Sequence, residues 1–170
     1  YMETEGRANR VGPEAIAVPG NLMAWCEIAQ RFGKLDLPTL MEPAIRHAAR
    51  GFAVTPYLAT CIAESATDLA LDPAISAIFL PDGKPLSAGS RLVQSDYAET
   101  LRTIAQHGPG VMYGGELGRA IAGKLDQAGS FIRLEDLAYD KNDARVVYIA
   151  DTGASGVAPN PATGRLHRPG

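Results

Sequence analysis

Asp151-Thr-Gly-Ala-Ser155, set behind the apolar run Val146–Ile149, is the segment whose residue types point most directly to acid–base chemistry. A carboxylate held at the end of a strand can share a proton with a second carboxylate, which a twofold-related copy of the chain could supply. The ordinary alternative is a turn at the strand end, capped by Asp151 or Thr152. The three histidines, His47, His107 and His167, stand far apart. None has a histidine one helical turn away or a cysteine pair nearby, so the sequence assigns no metal site. His107 directly precedes Gly108, where a cation suits the C-terminal end of a helix. Gly110 to Gly118 is glycine-rich but lacks the Lys-Ser/Thr of a phosphate-cradling loop, and reads as a turn before a helix. Cys26 and Cys61 are too few for a disulfide framework; each falls on an apolar helical face, so both are expected as buried free thiols.

The elements that would position these residues can be read from caps, stops and periodicity. The segment from Tyr1 to Pro13 is polar and reads as exposed, and Glu14 to Val18 as a short strand. Asn21 is a candidate N-cap for a helix running to Phe32, with Leu22, Trp25, Ala29 and Phe32 inward. Gly33 is expected to end it in the left-handed conformation. A second helix starts near Asp36 with Pro38 in its first turn and stops at Gly51. Its apolar positions Leu37, Leu40, Met41, Ala44, Ile45 and Ala48 follow a period of about 3.6 residues, and Pro43 should kink it or shift its start. Thr55-Pro56 caps and opens a third helix, with Leu58, Cys61, Ile62 and Leu69 inward. Ala77–Leu80 reads as an apolar run ended by a turn at Pro81-Asp-Gly83, with Leu92-Val93 as its partner in a hairpin. Ser95-Asp96 caps a fourth helix carrying Tyr97, Leu101, Ile104 and Ala105, closed by Gly108. A fifth covers Glu116 to Ala128 and ends at Gly129, and Leu134 to Leu137 makes at most one further turn. Val146–Ile149 is a strand, and Gly153 to Gly170 is loop or disorder.

With 170 residues the chain fits one domain of ordinary size, and its 46% hydrophobic content can form a core. A net charge of -3 with no basic block excludes nucleic acid as a partner. No apolar stretch approaches the roughly 18 residues that span a bilayer. The polar start carries no signal peptide and no initiator methionine, which suggests a processed or partial product. The fold class expected is α+β: an α-rich layer with little strand. The region 1–138 reads as a helical region, and 139–170 as a strand plus a Gly/Pro-rich tail of uncertain origin.

An ordered series of motifs gives the region a family. V-P-G-x-x-x-x-W at Val18–Trp25 is followed by R-F-G-x-L-x-L at Arg31–Leu37, then by P-A-I-x-x-A-x-x-G-F at Pro43–Phe52. Next come Ile78-Phe-Leu80, Gly83-Lys-Pro-Leu86, Gly89, Leu92-Val-Gln94 and Leu101-Arg-Thr-Ile-Ala105. Gly108-Pro-Gly-Val-Met-Tyr-Gly114, Ile121 and Glu135-Asp-Leu137 complete it. In this order and spacing the series resembles the large subunit of the γ-glutamyltransferases, from about Ala17 to Leu137. Beyond Leu137 the likeness fades. Val146–Ser155 separately resembles the aspartic protease signature, but only 19 residues follow Asp151 and the preceding 140 are mostly helical. An all-β protease with its flap does not fit around them.

The γ-glutamyltransferase resemblance implies a mostly helical segment of an N-terminal nucleophile hydrolase, an αββα sandwich. It implies a precursor that cuts itself into large and small subunits. The new N-terminal Thr of the small subunit is then the nucleophile, with its own α-amine as base. No metal or organic cofactor is implied. The implied partners are that small subunit and a γ-glutamyl small-molecule substrate such as glutathione. Every threonine here, at 4, 39, 55, 60, 67, 100, 103, 152 and 163, is internal, so no catalytic residue is assigned to this chain. The family's carboxylate-binding Arg lies upstream of the V-P-G helix; Arg7 and Arg10 are the stand-ins this chain offers, against a role as surface arginines. A guanidinium suits a two-oxygen grip better than Lys does. Two alternatives stay open. One is a cephalosporin-acylase-like amidohydrolase on the same scaffold; the other is a non-catalytic helical scaffold or interaction module. By resemblance, the periplasm or the exterior is expected over the cytoplasm.

Overall fold

A computed structural model describes residues 7–138, which divide into two compact units. Val146–Ile149, Asp151, Thr152, His167 and the Gly/Pro-rich tail lie outside the described residues.

The unit of residues 37–106 is built on helices α2 (Leu37–Arg50), α3 (Pro56–Glu64), α4 (Ala66–Leu69), α5 (Pro73–Phe79) and α6 (Ser95–His107). Short strands β1 (Phe52–Ala53) and β2 (Arg91–Leu92) pair antiparallel, with Phe52 opposite Leu92 and Ala53 opposite Arg91. Pro38 sits in the first turn of α2; Pro43 lies inside the helix and does not shift its start, which is at Leu37. Gly51 ends it at φ 72. Arg91 caps the exit: its Nε donates to the Arg50 carbonyl at 2.8 Å, and the Gln94 N–H donates to that of Ala48 at 3.0 Å. These are carbonyls that a helix end leaves without intrahelical donors. Ile45 and Ala48 of α2 pack with Ala98, Leu101 and Ala105 of α6, with Met41 partly buried against them, whereas Leu40 and Ala44 of the same apolar period are exposed. A second cluster joins Val54, Ile62, Leu80 and Leu92.

Thr55 caps α3 as expected, its Oγ1 accepting the Leu58 N–H at 3.2 Å, with Pro56 first in the helix. The next stretch departs from expectation twice. The third helix breaks at Ser65, so Leu69 belongs to α4. Ala77–Leu80 is not a hairpin strand: Ala77 to Phe79 close helix α5, and the partner of Leu92 is Phe52. The cause is local. Asp72 Oδ1 accepts from the Ala74 and Ile75 N–H groups at 2.8 and 3.0 Å, and Pro73 follows it into the helix. It is the same cap-then-proline device as Thr55-Pro56. Pro81-Asp-Gly83 does turn the chain, with Asp82 and Gly83 at φ 56 and 73.

The unit formed by residues 7–36 and 107–138 holds α1 (Asn21–Phe32), α7 (Glu116–Gln127) and α8 (Leu134–Leu137). Its apolar cluster is Ala122, Ile132 and Leu137, with Ile121, Leu125 and Leu134 against it. Three expectations fail at its N-terminal end. Glu14 to Val18 is no strand; Pro13–Ala15 is a short 3-10 turn, followed by irregular chain, and among the described residues no second strand pairs there. Asn21 lies inside α1 rather than capping it; Gly20 is the cap, with no side-chain bond. Gly33 is extended, at φ -74 and ψ 151, not left-handed. Its N–H still closes the helix on the Ala29 carbonyl at 2.8 Å, and a Cβ there would stand 2.3 Å from that oxygen. Glycine is therefore required by contact rather than by dihedral.

The face assigned inward on α1 is also corrected. Trp25 is 59% exposed and Phe32 76%, whereas Ala24 is buried. Tyr97 of α6 is likewise exposed. A periodic stripe says where a helix is apolar, not what covers it.

Candidate functional site

Arg7 and Arg10 are gathered into a single turn. The N–H groups of Arg10 and Val11 both donate to the Arg7 carbonyl, at 2.8 and 3.0 Å, and Arg7 takes a positive φ of 60. Both side chains are exposed. Two hydroxyls from far along the chain hold the segment after this turn. Ser130 Oγ donates to the Pro13 carbonyl at 2.8 Å and accepts the Ile132 N–H at 3.3 Å. Tyr113 Oη donates to the Pro19 carbonyl and accepts the Met23 N–H at 3.1 Å. That N–H is one of the first-turn donors of α1, which would otherwise lack a partner within the helix. Ser130 is 2% exposed and Tyr113 8%, while their partners Pro13, Pro19 and Met23 are half-buried.

Sequence reasoning did not single out either hydroxyl. For Tyr113 a signal existed: it stands in the Gly108–Gly114 motif, and a buried phenol needs a partner for its O–H. For Ser130 there was none, because its partner lies 117 positions away. Glycines make the approach of these segments possible. A Cβ on Gly115 would come within 2.5 Å of the Val111 Cα, and one on Gly118 within 2.2 Å of the Met112 carbonyl oxygen.

Burial pushes the Tyr113 phenol above its ordinary pKa. The Met23 N–H pulls it down and the neighbouring Cys26 adds a further push upward. With the folded value raised, the stability Tyr113 contributes is complete below pH ~10 and lost as pH rises through that raised value. Deprotonation also removes the donor to Pro19. The protein is therefore expected to lose more stability above pH ~10 than its Tyr113→Phe variant does, measured by alkaline titration of far-UV circular dichroism.

The remaining candidates are not brought together. His47 and His107 are exposed, and among the described residues no three His, Cys, Asp or Glu side chains cluster to hold a metal. Gly110 to Gly118 forms a short 3-10 turn and the start of α7. Cys26 and Cys61 are free, as expected, but only half-buried. Burial pushes the Cys26 thiol up. Threonine hydroxyls in the helices serve the backbone: Thr60, Thr100 and Thr103 donate to carbonyls one turn back, at 3.0 to 3.1 Å. None of these is placed for nucleophilic attack.

The family model for gamma-glutamyltranspeptidase matches residues 1–162. The chain belongs to the γ-glutamyltranspeptidase family. Among curated relatives, the acylase ACY 1 proenzyme of Pseudomonas sp. (strain SE83) is 53% identical over 136 residues, 80% of this chain and 24% of its own length. Glutathione hydrolase 3 of Arabidopsis thaliana is 31% identical over 160 residues, 92% of this chain and 25% of its own. The crystal structure of Helicobacter pylori γ-glutamyltranspeptidase superposes with a TM-score of 0.75 at 26% identity, covering 78% of this chain and 38% of that one. The chain thus spans about a quarter of the length of these two curated relatives. Its fold is the mostly helical segment of the N-terminal nucleophile hydrolase architecture, as the motif series implied.

Proposed function

We propose that this chain is part of the large subunit of a self-cleaving amidohydrolase of the γ-glutamyltranspeptidase family, acting on acyl amides whose acyl group ends in a carboxylate. The N-terminal Thr of the small subunit supplies the nucleophile. Its hydroxyl attacks the amide carbonyl while the α-amine takes the proton. The C–N bond breaks, the amine leaves with a proton, and water then hydrolyses the acyl ester. Arg7 and Arg10 are the groups offered here for the carboxylate of the acyl chain, as a guanidinium pairs with two oxygens at once. The described residues contain no helix long and apolar enough to cross a membrane.

One observation carries the choice of substrate class: 53% identity to an acylase against 31% to a glutathione hydrolase. A glutaryl-type acyl amide therefore ranks ahead of a γ-glutamyl amide such as glutathione. The two substrates differ by an α-ammonium group, present on the γ-glutamyl chain and absent from the glutaryl one.

The test uses the full-length precursor. N-terminal sequencing and intact mass are expected to show a second chain that begins with Thr. Glutaryl-p-nitroanilide is expected to be hydrolysed with a higher kcat/KM than γ-glutamyl-p-nitroanilide. The opposite order would move the substrate to the γ-glutamyl class. A precursor that yields no Thr-initiated chain and no hydrolysis would leave a helical scaffold or interaction module as the reading.

A further inference from the structure

We infer that Ser130 and Tyr113 are positioning residues: two buried hydroxyls that clasp the segment behind the Arg7–Arg10 turn and so set where its guanidinium groups stand. The inference rests on the carboxylate-binding reading of those arginines.

The segment needs such a clasp. Between Val11 and Gly20 it has only the Pro13–Ala15 turn as regular structure, and Ile16 and Val18 are 45% and 42% exposed. It buries little apolar surface and, among the described residues, joins no strand. Its two side-chain anchors fall on the carbonyls of Pro13 and Pro19. Each proline has a fixed φ, so fixing its carbonyl fixes the direction of the adjoining chain. Pro13 is three residues from Arg10, and Arg10 is tied to Arg7 by a backbone bond of 2.8 Å. The anchor that Ser130 places on Pro13 therefore stands three residues along the chain from the arginine turn. Ser130 comes from the loop after α7, and Tyr113 from the turn before it. The clasp thus brings both ends of one helix to bear on a segment about 100 positions away in sequence. Both anchors also accept a backbone N–H, which fixes the hydroxyl rotor towards its proline.

The experiment is kinetic and uses the processed full-length enzyme. Ser130→Ala and Tyr113→Phe are each expected to raise KM for glutaryl-p-nitroanilide roughly three- to tenfold, with kcat within about twofold of the parent. Ser130→Thr keeps the hydroxyl and is expected to restore KM. Hydrolysis of acetyl-p-nitroanilide, which has no acyl carboxylate, is expected to be unaffected by all three. Arg7→Ala, Arg10→Ala and the double variant probe the underlying reading separately. If the arginine variants raise KM for the glutaryl substrate but Ser130→Ala and Tyr113→Phe do not, the positioning role is overturned and the arginine reading stands. If the arginine variants leave KM unchanged, the carboxylate-binding reading fails and the clasp with it. If Ser130→Ala depresses kcat for both substrates along with Tm, and Thr does not rescue it, the bond is structural only and the positioning role is overturned.

Discussion

A Gly118→Ala variant is expected to be strongly destabilised, while Gly123→Ala in the same helix is expected to gain stability. The two positions share α7, the same substitution and the same intrinsic preference, which favours Ala over Gly by about 1 kcal/mol. They differ in what the new methyl group meets. At Gly123 nothing lies within 4 Å, so the propensity gain of about 1 kcal/mol should appear nearly whole. At Gly118 the Cβ would stand 2.2 Å from the Met112 carbonyl oxygen and 3.1 Å from its carbon. Neither atom belongs to a side chain that could rotate away. Met112 is held by its N–H bond to the Pro109 carbonyl at 2.9 Å, and the next residue, Tyr113, is anchored on Pro19 and Met23. Relief therefore means moving the backbone. Overpacking in a well-filled site costs about 1–3 kcal/mol, and a backbone collision at this distance belongs at or beyond the upper end. Urea unfolding of the two variants beside the parent checks this: midpoints that move the same way would refute the contact. Gly118→Ala should also weaken the Tyr113 bond to Pro19, because the displaced turn carries that tyrosine.

How far the sequence disclosed this fold depends on whether the deciding contact was local. α2, α6 and α7 were legible because their apolar periodicity and glycine stops sit within the helices themselves, and Ile45, Ala48, Leu101 and Ile104 are buried as that period requires. α5 was equally local, since Asp72-Pro73 caps it, but the apolar run Ala77–Leu80 suits a strand or a helix until the cap is noticed. The pairing of Phe52 with Leu92 was not legible: two-residue strands carry no alternation to read. Nor was the exposure of Trp25 and Phe32, since periodicity marks a helix face as apolar without saying what packs on it. At the candidate site the split is the same. Arg7 and Arg10 were named from sequence, and the turn that joins them is local. Ser130 and Tyr113, which hold the chain just beyond that turn, act across 117 and 94 positions, and no spacing rule reaches that far.

The conformational requirement at Gly51 predicts a second large effect, with its own internal control. Gly51 and Gly89 both adopt the left-handed region, at φ 72 and 84. A side chain there costs roughly 1–2 kcal/mol. At Gly89 the added Cβ meets nothing within 4 Å, so Gly89→Ala should show that dihedral cost alone. At Gly51 the Cβ would lie 2.6 Å from the Leu92 carbonyl oxygen, in the strand that pairs with Phe52. The Val93 methyl at the same distance could rotate away; the carbonyl could not without opening the pairing of β1 with β2. That pairing is where the α2 exit, the buried Leu92 and the Arg91 bond to the Arg50 carbonyl converge. Gly51→Ala is therefore expected to destabilise by about 3 kcal/mol or more, against roughly 1–2 for Gly89→Ala. Hydrogen exchange gives a second readout. The Val54 N–H, bonded to the Ser90 carbonyl at 2.8 Å, should lose protection in Gly51→Ala and keep it in Gly89→Ala. Equal losses in the two variants would mean that the glycine is needed for its dihedral alone, and that the close approach of α2's end to β2 carries no energetic weight.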